Sequence, residues 1–207
     1  MLGGAPLLVN LGNHDVSHLT KAQERAALPA SEQGFLQPGL LYGSTDIRGI
    51  HFVVTDSEYS DVAGTPNGYL NPVAYFPTTE LSWLRADLDA TLLPVVVLTH
   101  RTVNPHAPPA VGNAAAVQAI LDAHAKKIAV VLNGHYHCHD SYVAPSGVLY
   151  VGVGSTSTIQ TCSVAKHSLG DHAQIEIIPS THAVRVGWWE NDAINGYTED
   201  RVVSHKF

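Results

Sequence analysis

Cysteine is almost absent: only Cys138 and Cys162 occur in 207 residues, and neither belongs to a Cys-x-x-Cys pair. A disulfide framework of the small secreted kind and a cysteine zinc knuckle are thereby excluded, and the two thiols are expected to be free. Charge is sparse as well, at 14% of residues, with 11 Lys and Arg against 18 Asp and Glu for a formal net charge of -7. Basic residues stand singly apart from Lys126-Lys127, so the sequence offers no basic cluster for a nucleic-acid backbone. No apolar run nears the roughly 18 residues that span a bilayer. The start, Met1-Leu2-Gly3-Gly4, lacks the basic stretch and apolar core of a secretory leader. The expectation is a soluble chain, cytoplasmic by default, although an upstream segment could have carried a targeting signal. There is no internal repeat, no low-complexity tract, and no phosphate-binding P-loop, because the Gly- and Ser-rich stretch at 152–158 lacks the Gly-Lys-Ser/Thr ending.

What is present is a folded composition, 45% hydrophobic, of a length that suits one domain over 1–207. Strand-like runs lie at 7–10, 51–56, 95–99, 128–133 and 148–153, and several end in Gly, Asn, Asp or His. Between the second and third, Thr78 can cap a helix that lines up Leu81, Leu84 and Leu88; between the third and fourth, Asn113 can cap one carrying Val117, Ile120 and Leu121. This alternation predicts an α/β fold with a largely parallel sheet and its chemistry outside the carboxyl ends of the strands. Residues 173–178 and 183–189 alternate polar and apolar around Pro179-Ser180-Thr181, which predicts an antiparallel hairpin in a second sheet. Segments 56–77 and 101–112, rich in Gly, Pro and Asn, read as loops on the site face.

Three short pieces at strand ends carry the chemistry. Gly12-Asn13-His14-Asp15 follows the first run; it is either an Asx-type turn or a site in which Asn13 offers a neutral oxygen ligand and His14, held by Asp15, donates a proton. His100 abruptly ends the apolar run 95–99, where a sheet would hold a ligand rigidly. Gly134-His135-Tyr136-His137 follows the fourth run, and two imidazoles two residues apart on one turn suit Zn, Fe or Mn. An exposed alternating strand through His135, His137 and His139 is the competing reading. Arg101 and Tyr136 are candidate substrate contacts, His139 and Asp140 belong to the same neighbourhood with surface positions favoured, and Asn104 and His106 are left unplaced.

Together these pieces resemble the calcineurin-like metallophosphoesterases, in the order Gly-Asn-His-Asp, isolated His, Gly-His-x-His. The resemblance implies a four-layer α/β/β/α sandwich and a dinuclear centre in which two divalent ions, Mn, Fe or Zn, activate a water against a phosphate mono- or diester. It implies that Asn13, His100 and His135 hold one metal, that His137 holds the other, and that His14 with Asp15 protonates the leaving oxygen. The family also opens with Asp-x-His and Gly-Asp motifs upstream of Gly-Asn-His-Asp, and neither stands in the eleven residues that precede Gly12. The chain is therefore expected to be the back portion of such a domain, lacking N-terminal strands and helices, with an exposed sheet edge, at most one weakly bound metal, and little hydrolysis of its own. A non-catalytic metal-binding or interaction module with the same fold is the alternative. A β-barrel with one metal on His135 and His137 would leave the two capped helices unexplained.

Overall fold

A computed structural model describes residues 6–66, 73–106, 111–154, 172–192 and 196–207. Two sheets organise it. The first has the strand order β1 (Gly43–Ile47), β2 (Ile50–Val54), β3 (Val95–Thr99), β4 (Ile128–Asn133), β6 (Leu149–Gly152) and β5 (Asp140–Val143). β2, β3, β4 and β6 are parallel, and the outer strands β1 and β5 are antiparallel to their neighbours. The second sheet is antiparallel, β7 (His172–Ile178), β8 (Ala183–Asp192) and β9 (Gly196–Lys206). The hairpin predicted from 173–189 is its first two strands.

The central strands are nearly continuous Val, Ile and Leu because both their faces are covered. On one face Val53, Val97 and Val131 meet Leu84 and Leu88 of α3 (Thr78–Ala90) and Ile120 of α4 (Ala114–Ala123). On the other, Val96, Val130 and Val151 meet Val184, Val186 and Trp188 of the second sheet, and Trp188 donates its indole N–H to Gly152 O at 2.9 Å. Three of the four expected layers are therefore in place among the described residues. An apolar groove of about 360 Å³, bordered by Leu8, Ile50, Phe52, Ile175 and Ile177, opens between the sheets beside the edge strand β7. No helix among the described residues is long and apolar enough to cross a membrane.

Several local expectations are corrected. Residues 7–10 form no strand; Asn10 Nδ2 instead donates to the carbonyls of Thr55 (2.6 Å) and Leu98 (3.4 Å), a side chain taking the place of a ladder. Pro77, not Thr78, occupies the N-cap of α3, and Thr78 Oγ1 donates to Val62 O. Asn113 does precede α4, but its amide brackets the Phe76 backbone, accepting from N–H at 3.0 Å and donating to C=O at 2.8 Å. Cys138 is disulfide-bonded rather than free, since sequence separation says nothing about distance in space; Cys162 lies outside the described residues. The loop expectation for 56–77 lies partly outside them, at 67–72, that for 101–112 at 107–110, and most of the 152–158 stretch does so from 155 onward.

Two short helices that the periodicity does not announce lie between Gly12 and β1. α1 (Lys21–Ala27) starts with a capping box: Gln23 N–H donates to Thr20 Oγ1, and Gln23 Oε1 accepts from the Thr20 N–H. α2 (Ala30–Gln33) follows after Pro29. They pack on a small core of Leu28, Leu36 and Leu41 with Val9 and Leu11, and this core seats the chain segment that enters the site.

Candidate metal and phosphate site

Strand-end geometry brings the separated pieces together. β3 ends at Thr99 and β4 at Asn133, paired in register, and Gly134 N–H donates to His100 O at 3.1 Å, so the two turns leave the sheet side by side. Asn10, anchored on the ends of β2 and β3, delivers Gly12 against the His100 ring. A Cβ on Gly12 would lie 2.5 Å from that ring, a distance no side chain tolerates. A side chain at position 12 would force the His100 ring to shift, and glycine leaves the imidazole where Asn13 meets it.

The resulting contact is a triangle of donor atoms. Asn13 Oδ1 lies 2.8 Å from His100 Nε2 and 3.2 Å from His135 Nδ1, and the two nitrogens are 3.3 Å apart. Ligand atoms roughly 2.1 Å from a common ion stand about 3.0 to 3.4 Å from one another at octahedral to tetrahedral angles, so the triangle has the edge lengths of a coordination face. Without a cation, His100 Nε2–H donates to Asn13 Oδ1. Chemically the set also fits. Burial foremost, and then the Arg101 charge, pushes His100 down to about 4. His135 is pushed down to about 4 by burial, then by His100 and Arg101. Both rings are neutral at pH 7, with lone pairs available to a soft or borderline divalent metal.

His135 and His137 both adopt left-handed backbone conformations, with φ of 64° and 57°. Such a conformation is uncommon for a residue with a side chain, and two in one turn store strain where a site is built. The alternating-strand reading of this segment is thereby excluded. His137 is half-buried and its pKa is lowered by burial and by His14. Tyr136 lies between them, its ring edge-on to His135 at 5.3 Å, its hydroxyl raised in pKa by burial and partly lowered by Arg101. Among the described residues, no group of three or more His, Cys, Asp or Glu is arranged to hold a metal; the triangle gets its third corner from an amide oxygen.

The remaining candidates fall differently. His14 and Asp15 are exposed, and Asp15 Oδ2 accepts the Gly12 N–H at 2.7 Å, which closes the turn. Arg101 is 1% exposed and makes a bidentate pair with Glu58, Nε to Oε1 at 2.8 Å and Nη2 to Oε2 at 3.1 Å. Its guanidinium faces inward, and it acts on the site through its charge. His139 is buried beside Trp188, where a surface position had been favoured, while Asp140 is exposed. Asn104 is buried and accepts the His106 N–H at 2.9 Å, and the His106 ring lies tilted against Tyr142 with centroids 4.1 Å apart.

A buried acidic layer behind the site is not signalled by any motif. Asp56 accepts Lys21 Nζ at 2.7 and 2.9 Å, and its N–H donates to Glu80. Glu24 is 2% exposed with both carboxyl oxygens lacking a hydrogen-bond partner. Burial raises its pKa to about 7; Lys21 opposes the shift, and Asp56, Asp15 and Glu58 add to it. The only sequence signal is Glu at an inward position of α1, legible once the helix phase is known.

Comparison with known proteins agrees with the fold. No protein-family model and no curated protein sequence matches the chain. Among solved structures, it is similar to a dimetal phosphatase from Danio rerio at TM-score 0.59 and 16% identity, over 95% of this chain and 70% of that one. Vps29 from Entamoeba histolytica is far more distant, at TM-score 0.37 and 11% identity over 80% of this chain and 60% of that one. The chain thus has a mixed α/β fold built on a six-stranded sheet, the fold of a dimetal phosphatase.

Proposed function

We propose that this chain carries half of a metallophosphoesterase centre: Asn13, His100 and His135 hold one divalent metal, and His137 contributes to a second. The observation that carries this reading is the triangle of Asn13 Oδ1, His100 Nε2 and His135 Nδ1 with edges of 2.8, 3.2 and 3.3 Å. A divalent ion bound there supplies Lewis-acid polarisation of a phosphoryl oxygen. The chain's own residues do the rest. His14, which is exposed, would protonate a departing alkoxide, and Asp15 fixes the turn that carries it. Tyr136, edge-on to His135, would be a hydrogen-bond donor toward a phosphate ester. Arg101, paired with Glu58, adds to the burial that lowers the pKa of both ligating imidazoles and is a positioning residue.

All three corners of the triangle are uncharged, and the eleven residues before Gly12 contain neither an Asp-x-His nor a Gly-Asp motif. Binding is therefore weak, and hydrolysis by this chain alone is slow or absent. The neutral donor set also favours a second reading, a non-catalytic metal-binding module of the same fold. Calorimetric titration of the full chain with Mn²⁺ and Zn²⁺, beside hydrolysis of p-nitrophenyl phosphate and bis(p-nitrophenyl) phosphate, separates the two. The expected result is about one ion per chain, with affinity reduced at least about tenfold by Asn13→Ala, His100→Ala or His135→Ala. Unchanged affinity in all three variants would overturn the assignment of the ligands. Rapid metal-dependent turnover would overturn the view that the chain lacks half a centre, and turnover of neither ester with binding intact would favour the module.

A further inference from the structure

A buried histidine flanked by two carboxylates lies at the opposite end of the parallel strands, where β2 begins. His51 is 7% exposed and pairs across the sheet with Asp46 on one side and Val95 on the other. Its Nδ1 lies 2.6 Å from Asp46 Oδ1 and its Nε2 2.8 Å from Asp87 Oδ2. Asp87 is fixed in turn by Ser44, whose hydroxyl donates to Oδ1 at 2.7 Å. Asp46 belongs to β1 and Asp87 to α3, so one imidazole ties the β1–β2 hairpin to the helix.

We infer that Asp46, His51 and Asp87 form a proton-dependent latch that clamps the β1–β2 hairpin onto α3. A neutral imidazole carries one N–H, and ionised carboxylates only accept. Both short contacts are satisfied only by the doubly protonated ring; loss of one proton sets a nitrogen lone pair against a carboxylate oxygen. A shared metal does not explain the cluster, because the two carboxylates face opposite ring nitrogens and cannot converge on one ion.

The surroundings leave these two acids in control. From β3 the neighbour is Val95, which is uncharged, and Lys127 Nζ is bound to the carbonyls of Leu88 and Thr91 at the end of α3. An open cavity of about 430 Å³, walled by Asp46, His51, Asp87 and residues 90–93, gives water and protons access. The His51 pKa is raised, by the Asp87 hydrogen bond first and the Asp46 bond as well, against burial, which lowers it. A raised folded value means that the latch's stabilisation is fully present below the unfolded value of about 6.5 and is lost as pH rises through the folded one.

The test is ¹⁵N multiple-bond NMR of the imidazoles in the full-length chain from pH 5 to 9, together with thermal unfolding. Both His51 nitrogens are expected to be protonated at pH 7, with a midpoint above about 6.5. Asp87→Asn and Asp46→Asn are each expected to lower that midpoint by about half a pH unit or more, and the melting-temperature gap between wild type and His51→Gln is expected to shrink between pH 6 and pH 9. A singly protonated ring at pH 7, a midpoint unmoved by both Asp variants, or a gap that is constant with pH would each overturn the latch. Asp46 is 61% exposed in its side chain, so Asp46→Asn provides a folded variant even if the buried substitutions prevent folding.

Discussion

The two ends of the parallel sheet each hold a buried histidine contact, and they push the pKa of the same side chain in opposite directions. At the carboxyl end, His100 and His135 face Asn13 and each other with the Arg101 charge behind them, and both are pushed down to about 4. At the amino end, His51 lies between Asp46 and Asp87 and its pKa is raised. Burial lowers the pKa at both ends; what differs is the sign of the neighbouring charge. Neutral rings are ligands, whereas a charged ring is a strut. The sheet thus separates the part of the fold that can bind a cation from the part that behaves as one.

The largest way to break this contrast is to remove the charge behind the neutral pair. Arg101→Ala leaves Glu58 buried and unpaired, and should destabilise the chain by about 3–5 kcal/mol, read by urea unfolding. In whatever fraction remains folded, the NMR midpoint of His100 should rise, because a charge that holds it down has gone. An unmoved midpoint would mean that burial alone neutralises the site.

Next in size is Gly12→Ala. The new methyl would sit 2.5 Å from the His100 ring, and relieving that overlap should cost about 1–3 kcal/mol. Because the ring must swing away from Asn13, metal affinity should fall about 10- to 100-fold, measured by calorimetry. If affinity survives, the triangle is not the binding face.

The opposite shifts also predict opposite pH flanks. In metal-free protein kept with a chelator, His100 and His135 have folded values near 4 against about 6.5 unfolded. Their contribution is present above the unfolded value and lost as pH falls through the folded one. For His51 the sign reverses, with loss as pH rises. Unfolding free energies at acid, near-neutral and alkaline pH should therefore show His100→Gln losing less than wild type on the acid side and His51→Gln losing less on the alkaline side. Parallel curves for wild type and both variants would erase the distinction between the two ends.

How far this contrast was legible in the sequence depends on the range of the interaction. Strands 95–99 and 128–133 and the hairpin around Pro179 follow from apolar runs and turn residues, which are local. The meeting of Asn13, His100 and His135 was legible only through the family resemblance, since separations of 87 and 122 residues leave no periodic trace. The buried pair Glu58–Arg101 ran against expectation, because a charged residue next to a site motif reads as a substrate contact until burial shows which way it points. Asp46, His51 and Asp87 carry no motif at all. His51 opens an apolar run, Asp87 lies on a helix whose phase was set by leucines, and their contact depends on how α3 lies across β2. The disulfide at Cys138 was illegible for the same reason.

The smallest expected effect sharpens the comparison at its charged end. The two carboxylates on His51 are chemically alike, but the Asp46 side chain is 61% exposed and the Asp87 side chain 16%. Water competes for Asp46, so Asp46→Asn at pH 6 should cost only a few tenths to about 1 kcal/mol. Asp87→Asn should cost more, since it weakens a more buried charge-assisted bond and also the acceptor of the Ser44 hydroxyl. As pH rises through the raised His51 midpoint both costs should shrink, because the ring then has one N–H for two carboxylates. Equal costs for the two variants at pH 6 would show that solvent exposure does not grade the arms of the latch, and that the hairpin is held by its apolar packing instead.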